Sequence, residues 1–234
     1  MKSARSSRFS LLSCPLVRPA LYAAIATLAA CASPPSHFYT LGSGSSTTDS
    51  TTQSTASPAF LIEVPTVAVP AQVARAQFVV QAGDARVDVL EQQRWASPPA
   101  DEIRRALSGD LAARLGTFDV YGTPYPNAIP VYRVSVNVQR FESWPGSHAL
   151  IDAVWSVRAV TSQALLTCRT LAQVSVGAGF PALVDGHRQA VAKMADEIAA
   201  AVRTLGHNDT ALSAANAACA AGNDPPSVSL ESKR

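Results

Sequence analysis

The sequence lacks the motifs that mark common enzymes and metal proteins. It contains no C-x-x-C pair, no H-E-x-x-H motif and no G-x-S-x-G nucleophile elbow. None of its four histidines (His37, His148, His187 and His207) stands at metal-ligand spacing from another histidine or from a cysteine. An enzymatic function is therefore the least supported, and we expect no catalytic residue, no metal and no cofactor.

Concentrated charge is also missing. Charged residues make up 15 % of the chain, and four of its 19 basic residues lie ahead of Cys31, where no acidic residue occurs. Without residues 1–30 the chain carries 15 basic and 17 acidic side chains, a net charge of −2. Nucleic-acid binding requires a dense positive face that neutralises phosphates, so the sequence argues against a nucleic acid as partner.

A long apolar run is absent, but the N-terminus still carries a membrane signal. Basic residues followed by a short apolar stretch predict a secretory signal peptide over residues 1–30, and the uncharged residues 19–31 are too few to span a bilayer. Its end resembles the bacterial lipobox, in which the cysteine thiol receives the lipid: Leu28, Ala29, Ala30 and Cys31. The alternative is cleavage elsewhere, with Cys31 buried or disulfide-bonded.

Hydrophobic periodicity predicts one α+β domain over residues 38–206. Apolar residues at i,i+4 spacing predict a helix that Ser97 can cap and that Gly116 ends. A second amphipathic helix is predicted over residues 181–205. Strands are predicted at residues 60–69, 77–81, 87–90, 131–141, 149–160 and 165–176. Hairpins with two long helices on one face form a two-layer sandwich with a mixed, mostly antiparallel sheet.

Two segments have compositions that cannot bury enough apolar surface to order themselves. Residues 42–59 are rich in Gly, Ser and Thr and are expected to form a loop or linker. Residues 207–234 are rich in Ala, Ser and Asn and are expected to form a mostly disordered tail.

Several titratable residues are expected to be structural. Adjacent positions on a helix point about 100° apart, so Asp101 and Glu102, like Asp196 with Glu197, are predicted to be solvated rather than an acid/base pair. His187 falls on the apolar side of a predicted helix and is expected to be a satisfied core or helix-border histidine.

Two cysteines remain in the mature chain besides Cys31. An even pair in an oxidising periplasm favours a disulfide between Cys168 and Cys219. The alternative is a buried Cys168 thiol with a free Cys219 in the tail.

Several segments behind the lipobox occur in a specific order: H-F-Y-T-L, I-E-V-P-T-V-A-V-P, R-W-A-S-P-P-A-D-E-I-R-R-A-L and Y-R-V-S-V-N-V-Q-R-F-E. Together they resemble the PqiC (paraquat-inducible protein C, YmbA-type) family of ABC-type transport auxiliary lipoproteins, over residues 31–205. The resemblance implies a lipoprotein that faces the periplasm and works with a protein of the mammalian cell entry (MCE) type in moving phospholipid or other hydrophobic molecules. The lipobox resemblance brings with it a sorting rule that depends on the residue after the lipidated cysteine. Ala32 at that position favours the outer membrane of a Gram-negative bacterium.

The resemblance also implies that residues 38–41 form the first strand of the sheet. Residues 31–37 would then be a short tether, of which the six residues from Cys31 to Ser36 reach about 20 Å at ~3.3 to 3.6 Å per residue. The alternative is a flexible leash over residues 31–59, with Phe38 and Tyr39 serving as a partner-binding spot or an interfacial anchor.

Three functions follow as hypotheses. The first is a docking subunit that joins an MCE-domain protein to the outer membrane through the acyl chains on Cys31. The sequence does not decide whether this subunit also forms a homo-oligomer. Its candidate partner contacts are Trp144, expected in a turn over residues 143–146, and Trp95, which precedes the first helix; core packing is the alternative for each. The second is a lipid-binding carrier, which requires a sizeable apolar cavity. The third is an envelope-assembly or stress lipoprotein without a transport role.

Overall fold

The computed structural model describes residues 34–42, 58–206 and Cys219. The predicted signal peptide, Cys31, most of the Ser/Thr-rich loop and the predicted tail other than Cys219 lie outside these residues. Along the described chain the elements are β1 (His37–Tyr39), β2 (Leu61–Glu63), a 3-10 turn (Ala71–Val73), β3 (Gln77–Gly83), β4 (Arg86–Trp95), α1 (Pro99–Leu115), β5 (Val131–Trp144), β6 (His148–Ala159), β7 (Leu165–Ser175) and α2 (Phe180–Leu205).

The described strands form two sheets, which we call the small sheet and the large sheet. The small sheet has the order β1-β4-β3, and the large sheet has the order β2-β5-β6-β7. The pairs β3–β4, β5–β6 and β6–β7 are antiparallel, whereas β1 pairs with β4 and β2 pairs with β5 in parallel. The α+β class with mixed, mostly antiparallel strands is confirmed, with the difference that the strands divide between two sheets.

The inner face of the large sheet is covered by α2. In β7, buried and exposed residues alternate, which turns Leu166, Cys168 and Thr170 towards the helix. The helix packs on β6 and β7 so closely that a Cβ atom added at Gly186 would meet the Val176 side chain. Within the described residues, no helix is both long and apolar enough to cross a membrane.

The shorter helix, α1, lies beside α2 and buries one stripe. Ile103, Leu107 and Leu111 are fully buried on it, as their i,i+4 spacing predicts. The helix ends at Gly116, which has the left-handed backbone (φ 63°) that favours glycine. Its N-cap is Pro98 rather than the expected Ser97, because the Ser97 side chain bonds to a carboxylate instead.

An aromatic cluster joins the small sheet to the core. Trp95 stacks on Phe78 with ring centroids 4.2 Å apart, and its edge meets Phe141. Because only 2 % of Trp95 is exposed, it is a core residue and has no surface to offer a partner. The partner-contact hypothesis for Trp95 is therefore wrong. Trp155 is also buried, and its indole N–H donates to the Thr170 hydroxyl.

A disulfide holds one point of the C-terminal region against the large sheet. Cys168 in β7 is bonded to Cys219, with their Cα atoms 5.0 Å apart and a sequence separation of 51 residues. Cys219 is partly buried against the core. The bond thus fixes this position beside the face that α2 covers.

Candidate functional site

The first strand of the fold begins directly behind the predicted tether. His37, Phe38 and Tyr39 pair in parallel with Gln93, Arg94 and Trp95 of β4, which confirms the predicted strand. Side chains fix the register as well as the backbone does: the Tyr39 hydroxyl donates to Gln93 Oε1 at 2.8 Å, and the Ser36 hydroxyl donates to Gln92 Oε1 at 3.0 Å.

The two aromatic residues of β1 have opposite environments. Tyr39 points inward, where its ring meets the edge of Phe78 with centroids 5.5 Å apart. Phe38 points outward and is 65 % exposed. The strand alternation therefore assigns Tyr39 to the core and leaves Phe38 on the surface.

One buried carboxylate holds the chain where it leaves β1. Glu102 in the first turn of α1 has no exposed surface, and one of its oxygens accepts hydrogen bonds from the Leu41 backbone N–H (2.8 Å) and the Thr40 hydroxyl (2.7 Å). Its other oxygen accepts from the backbone N–H (3.1 Å) and the hydroxyl of Ser97. The Arg105 guanidinium also donates to this second oxygen of Glu102, at 3.0 Å, and to the Ser97 hydroxyl. A short strand of three residues is thereby fastened to the longer helix.

The charge of Glu102 is stabilised by these donors. Burial alone would raise the pKa of the carboxyl group, but the hydrogen bonds from Ser97, Thr40 and Leu41 and the nearby Arg105 hold it below its ordinary value. The prediction that Glu102 is solvated is therefore wrong. The Ser97–Glu102 spacing of five residues differs from the three-residue spacing of a capping box, so no familiar sequence pattern marks this contact.

The second helix also contacts this segment. Arg188 of α2 donates from Nη2 to the Thr40 carbonyl oxygen at 2.7 Å and from Nη1 to Asp185 at 2.8 Å. A cleft of about 210 Å³ lies between the helices, lined by Leu41, Ala106, Asp110, Arg188, Gln189 and Ala192. We call residues 36–42, together with Glu102 and Arg188, the tether junction, because both helices meet the incoming chain there.

The predicted contact Trp144 lies on a different surface, at one end of the β5–β6 hairpin. It is the last residue of β5 rather than a turn residue, because it still pairs with His148. The two rings stack with centroids 5.5 Å apart, and the indole N–H donates to Glu142 Oε2 at 3.1 Å. Burial would raise the pKa of Glu142, but the bonds from Arg140 and Trp144 hold it below its ordinary value.

The outer face of the large sheet continues from this hairpin. Asp152 is buried there beneath a two-pronged ion pair with Arg169, at 2.7 and 2.6 Å. Val154, Leu165 and Leu171 are partly exposed around it. This mixture of half-exposed apolar residues and fixed charges can contact another protein. The structure does not bring Trp95 to this face.

The described residues offer no arrangement typical of catalysis. Ser143 Oγ and His187 Nε2 share a hydrogen bond of 2.8 Å, but both residues are buried, and His187 Nδ1 has no hydrogen-bond partner in the described chain. Burial lowers the pKa of His187 to about 3, which keeps the ring neutral. A nucleophile–base pair needs a third group that orients the histidine and access for a substrate. No group of His, Cys, Asp and Glu residues suited to a metal ion occurs within the described ranges.

Comparison with solved structures shows the fold in other proteins. A protein of known crystal structure and no stated function superimposes with a TM-score of 0.57 at 20 % identity, covering 72 % of this chain and 99 % of that chain. A protein from Xanthomonas campestris matches with a TM-score of 0.48 at 16 % identity, covering 62 % of this chain and 85 % of that one. At these identities the first likeness shows the fold alone.

No curated protein matches the sequence. The model of one protein family does match it, over residues 39–199, which begin in β1 and end within α2. This match contains both sheets, the aromatic cluster and Glu102, and it spans more than half of the chain. The chain belongs to the family described as ABC-type transport auxiliary lipoprotein component.

Proposed function

We propose that this auxiliary lipoprotein is a non-enzymatic docking subunit, anchored in the outer membrane by acyl chains on Cys31 and facing the periplasm. Its partner is an MCE-domain protein of a system that moves phospholipid or other hydrophobic molecules. The observation that carries the proposal is the tether junction. Because β1 starts at His37, the tether is only the six residues from Cys31 to Ser36. Such a segment reaches about 20 Å, so the domain would be held close to the membrane.

The contact surface for the partner is the outer face of the large sheet with Trp144. An indole held by a stacked ring and a carboxylate loses little conformational entropy on binding, which suits it to anchor an interface. The ion pairs around it are already formed, so a partner would meet a rigid surface. Candidate contacts thus lie on the large sheet, whereas the tether joins the small sheet.

A carrier function has weaker support. Typical small-molecule pockets enclose roughly 300 to 1,000 Å³ and cover most of the ligand. The cleft between the helices has about 210 Å³, and a second cleft on the large sheet has about 230 Å³. Neither is large enough for the two acyl chains of a phospholipid.

The experiment is mass spectrometry of the proteins and lipids that co-purify with the tagged, full-length lipoprotein from detergent-solubilised envelopes. The docking proposal predicts a stoichiometric MCE-domain protein and little lipid. Recovery of lipid without such a partner would overturn it in favour of the carrier. Separating inner from outer membranes and locating the protein would test its placement, and Cys31→Ala should release it from both.

The same purification tests the proposed surface. Trp144→Ala should weaken recovery of the partner, since a central aromatic anchor contributes about 2 kcal/mol or more. Phe118→Ala is the matched control, because Phe118 is 53 % exposed and lies in the loop after α1, away from the hairpin. Equal recovery with both variants would mean that Trp144 is not a contact.

A further inference from the structure

The exposed Phe38 is the feature of the tether junction that the fold does not explain. Single exposed hydrophobic residues are common on protein surfaces, so exposure alone carries no conclusion. Phe38 differs in its position, because it lies seven residues after Cys31 and on a strand rather than a mobile loop. Its side chain is held outward by the pairing of β1 with β4.

A second observation concerns the residue beside it. Arg94 of β4 is the register partner of Phe38. Within the described residues, the Arg94 side chain makes neither an ion pair nor a hydrogen bond, in contrast to Arg105 and Arg188 at the same junction. An aromatic ring next to an unpaired guanidinium matches a lipid interface, where the ring enters the acyl boundary and the cation meets phosphate groups.

The tether allows this contact. Seven residues from Cys31 to Phe38 reach about 25 Å when fully extended, and a folded-back tether brings Phe38 nearer still. The junction is rigid on both sides of Phe38. Gln92 accepts a hydrogen bond from Ser36 before it, and Gln93, Arg188 and Glu102 hold Tyr39, Thr40 and Leu41 after it. A contact at Phe38 would therefore orient the whole domain and not only its N-terminus.

We propose that Phe38, with Arg94 beside it, inserts into the headgroup region of the bilayer that holds the acylated Cys31, so that the β1 edge of the small sheet faces the membrane. This proposal rests on the anchoring in the proposed function. It directs the outer face of the large sheet, with Trp144, away from the strand that touches lipid.

The test uses the full-length acylated protein, reconstituted into phosphatidylcholine vesicles whose acyl chains carry bromine, which quenches indole fluorescence on contact. Phe38→Trp places an indole at the proposed contact, and Val154→Trp places one at a 37 % exposed position on the outer face of the large sheet. The unchanged protein supplies the background of its three tryptophans. Both substitutions are at exposed positions and should leave the fold intact.

The expected result is that brominated lipid removes most of the emission that Phe38→Trp adds, whereas the emission added by Val154→Trp is unchanged. No quenching with Phe38→Trp would overturn the proposal and leave Phe38 available to a protein partner. Quenching of Val154→Trp instead would mean that the opposite surface faces the lipid. Vesicle flotation checks the anchor separately: protein that fails to float refutes the anchoring, whereas floating protein without quenching refutes only the contact at Phe38.

Discussion

Replacing Glu102 with alanine should destabilise the domain by about 3 kcal/mol. The variant removes the acceptor of two backbone N–H groups: that of Leu41, which is buried, and that of Ser97, which is partly buried and costs less. Each buried donor left without a partner costs about 1 to 3 kcal/mol. The hydroxyls of Thr40 and Ser97 can rotate towards other acceptors, so we count only the two backbone groups.

The assay is urea unfolding of the mature protein at neutral pH, followed by circular dichroism and by tryptophan fluorescence. The matched control is Asp101→Ala, because Asp101 is the neighbouring carboxylate in the same helical turn but is exposed. Its loss removes only a favourable interaction with the helix dipole, worth about 0.3 to 1 kcal/mol. If the two variants unfold within about 1 kcal/mol of each other, the buried carboxylate does not hold the junction.

The pH dependence provides an independent check. Because the folded-state pKa of Glu102 lies below its ordinary value of 4.5, its contribution is fully present above pH 4.5 and is lost as the pH falls through the folded-state pKa. The stability gap between the unchanged protein and Glu102→Ala should therefore be constant near neutral pH and narrow only in acid. A gap that narrows above pH 5, about half a unit above that ordinary value, would contradict the assignment.

Three further predictions concern the core. Gly186→Ala should lower the free energy of unfolding by about 1 to 3 kcal/mol, because its Cβ would lie 3.0 Å from that of Ala149. Gly109→Ala should stabilise α1 by about 0.5 to 1 kcal/mol, because no atom lies within 4 Å of the added Cβ. Thermal unfolding of the two variants measures the difference. The pKa of His187 is about 3 in the folded state and 6.5 in the unfolded state. The free energy of unfolding should therefore fall by roughly 4 to 5 kcal/mol between pH 6.5 and pH 3, because only the unfolded state binds the proton in that range. His187→Phe should not show this part of the loss. Reducing the Cys168–Cys219 disulfide should cost about 4 kcal/mol for its separation of 51 residues, and mass spectrometry of unreduced peptides should find the bond.

Local periodicity predicts the two helices and β5 to β7 well. It is wrong for the strand predicted over residues 60–69, which is found only as Leu61–Glu63, and for the strand predicted over residues 87–90, which extends over Arg86–Trp95. The predicted helix over residues 181–205 is found as Phe180–Leu205, and the predicted strand over residues 165–176 is found as Leu165–Ser175. In β7 the buried residues alternate as predicted, and in α2 the predicted apolar side is buried except for Leu205, which is partly exposed, so neighbours in sequence largely suffice. Pro145 and Gly146 predict a turn at Trp144, but cross-strand pairing with His148 extends β5 to that residue.

The division into two sheets was not predicted, since it depends on contacts between distant residues. β1 and β2 have three residues each and show no period of their own. Each pairs in parallel with a strand far along the chain, β1 with β4 and β2 with β5. Glu102 was misjudged for the same reason, because the donors that justify its burial include residues 40 and 41, about sixty positions earlier.

If Cys31 is anchored as proposed, the tether junction determines how far the domain can move from the membrane. While β1 is paired, the tether is the six residues from Cys31 to Ser36, which extend over about 20 Å at most. If β1 detached, the next strand would begin at Leu61, thirty positions after Cys31, and the maximum reach would rise to about 100 Å. Three strand residues provide little stability by themselves, so side-chain contacts must help to retain β1. Glu102 and Arg188 supply two of them, beside the hydrogen bond and ring contact of Tyr39. Hydrogen exchange at the Leu41 amide measures this directly. The amide should be protected in the unchanged protein and exchange rapidly in Glu102→Ala, and equal protection in both would show that β1 is held by other contacts.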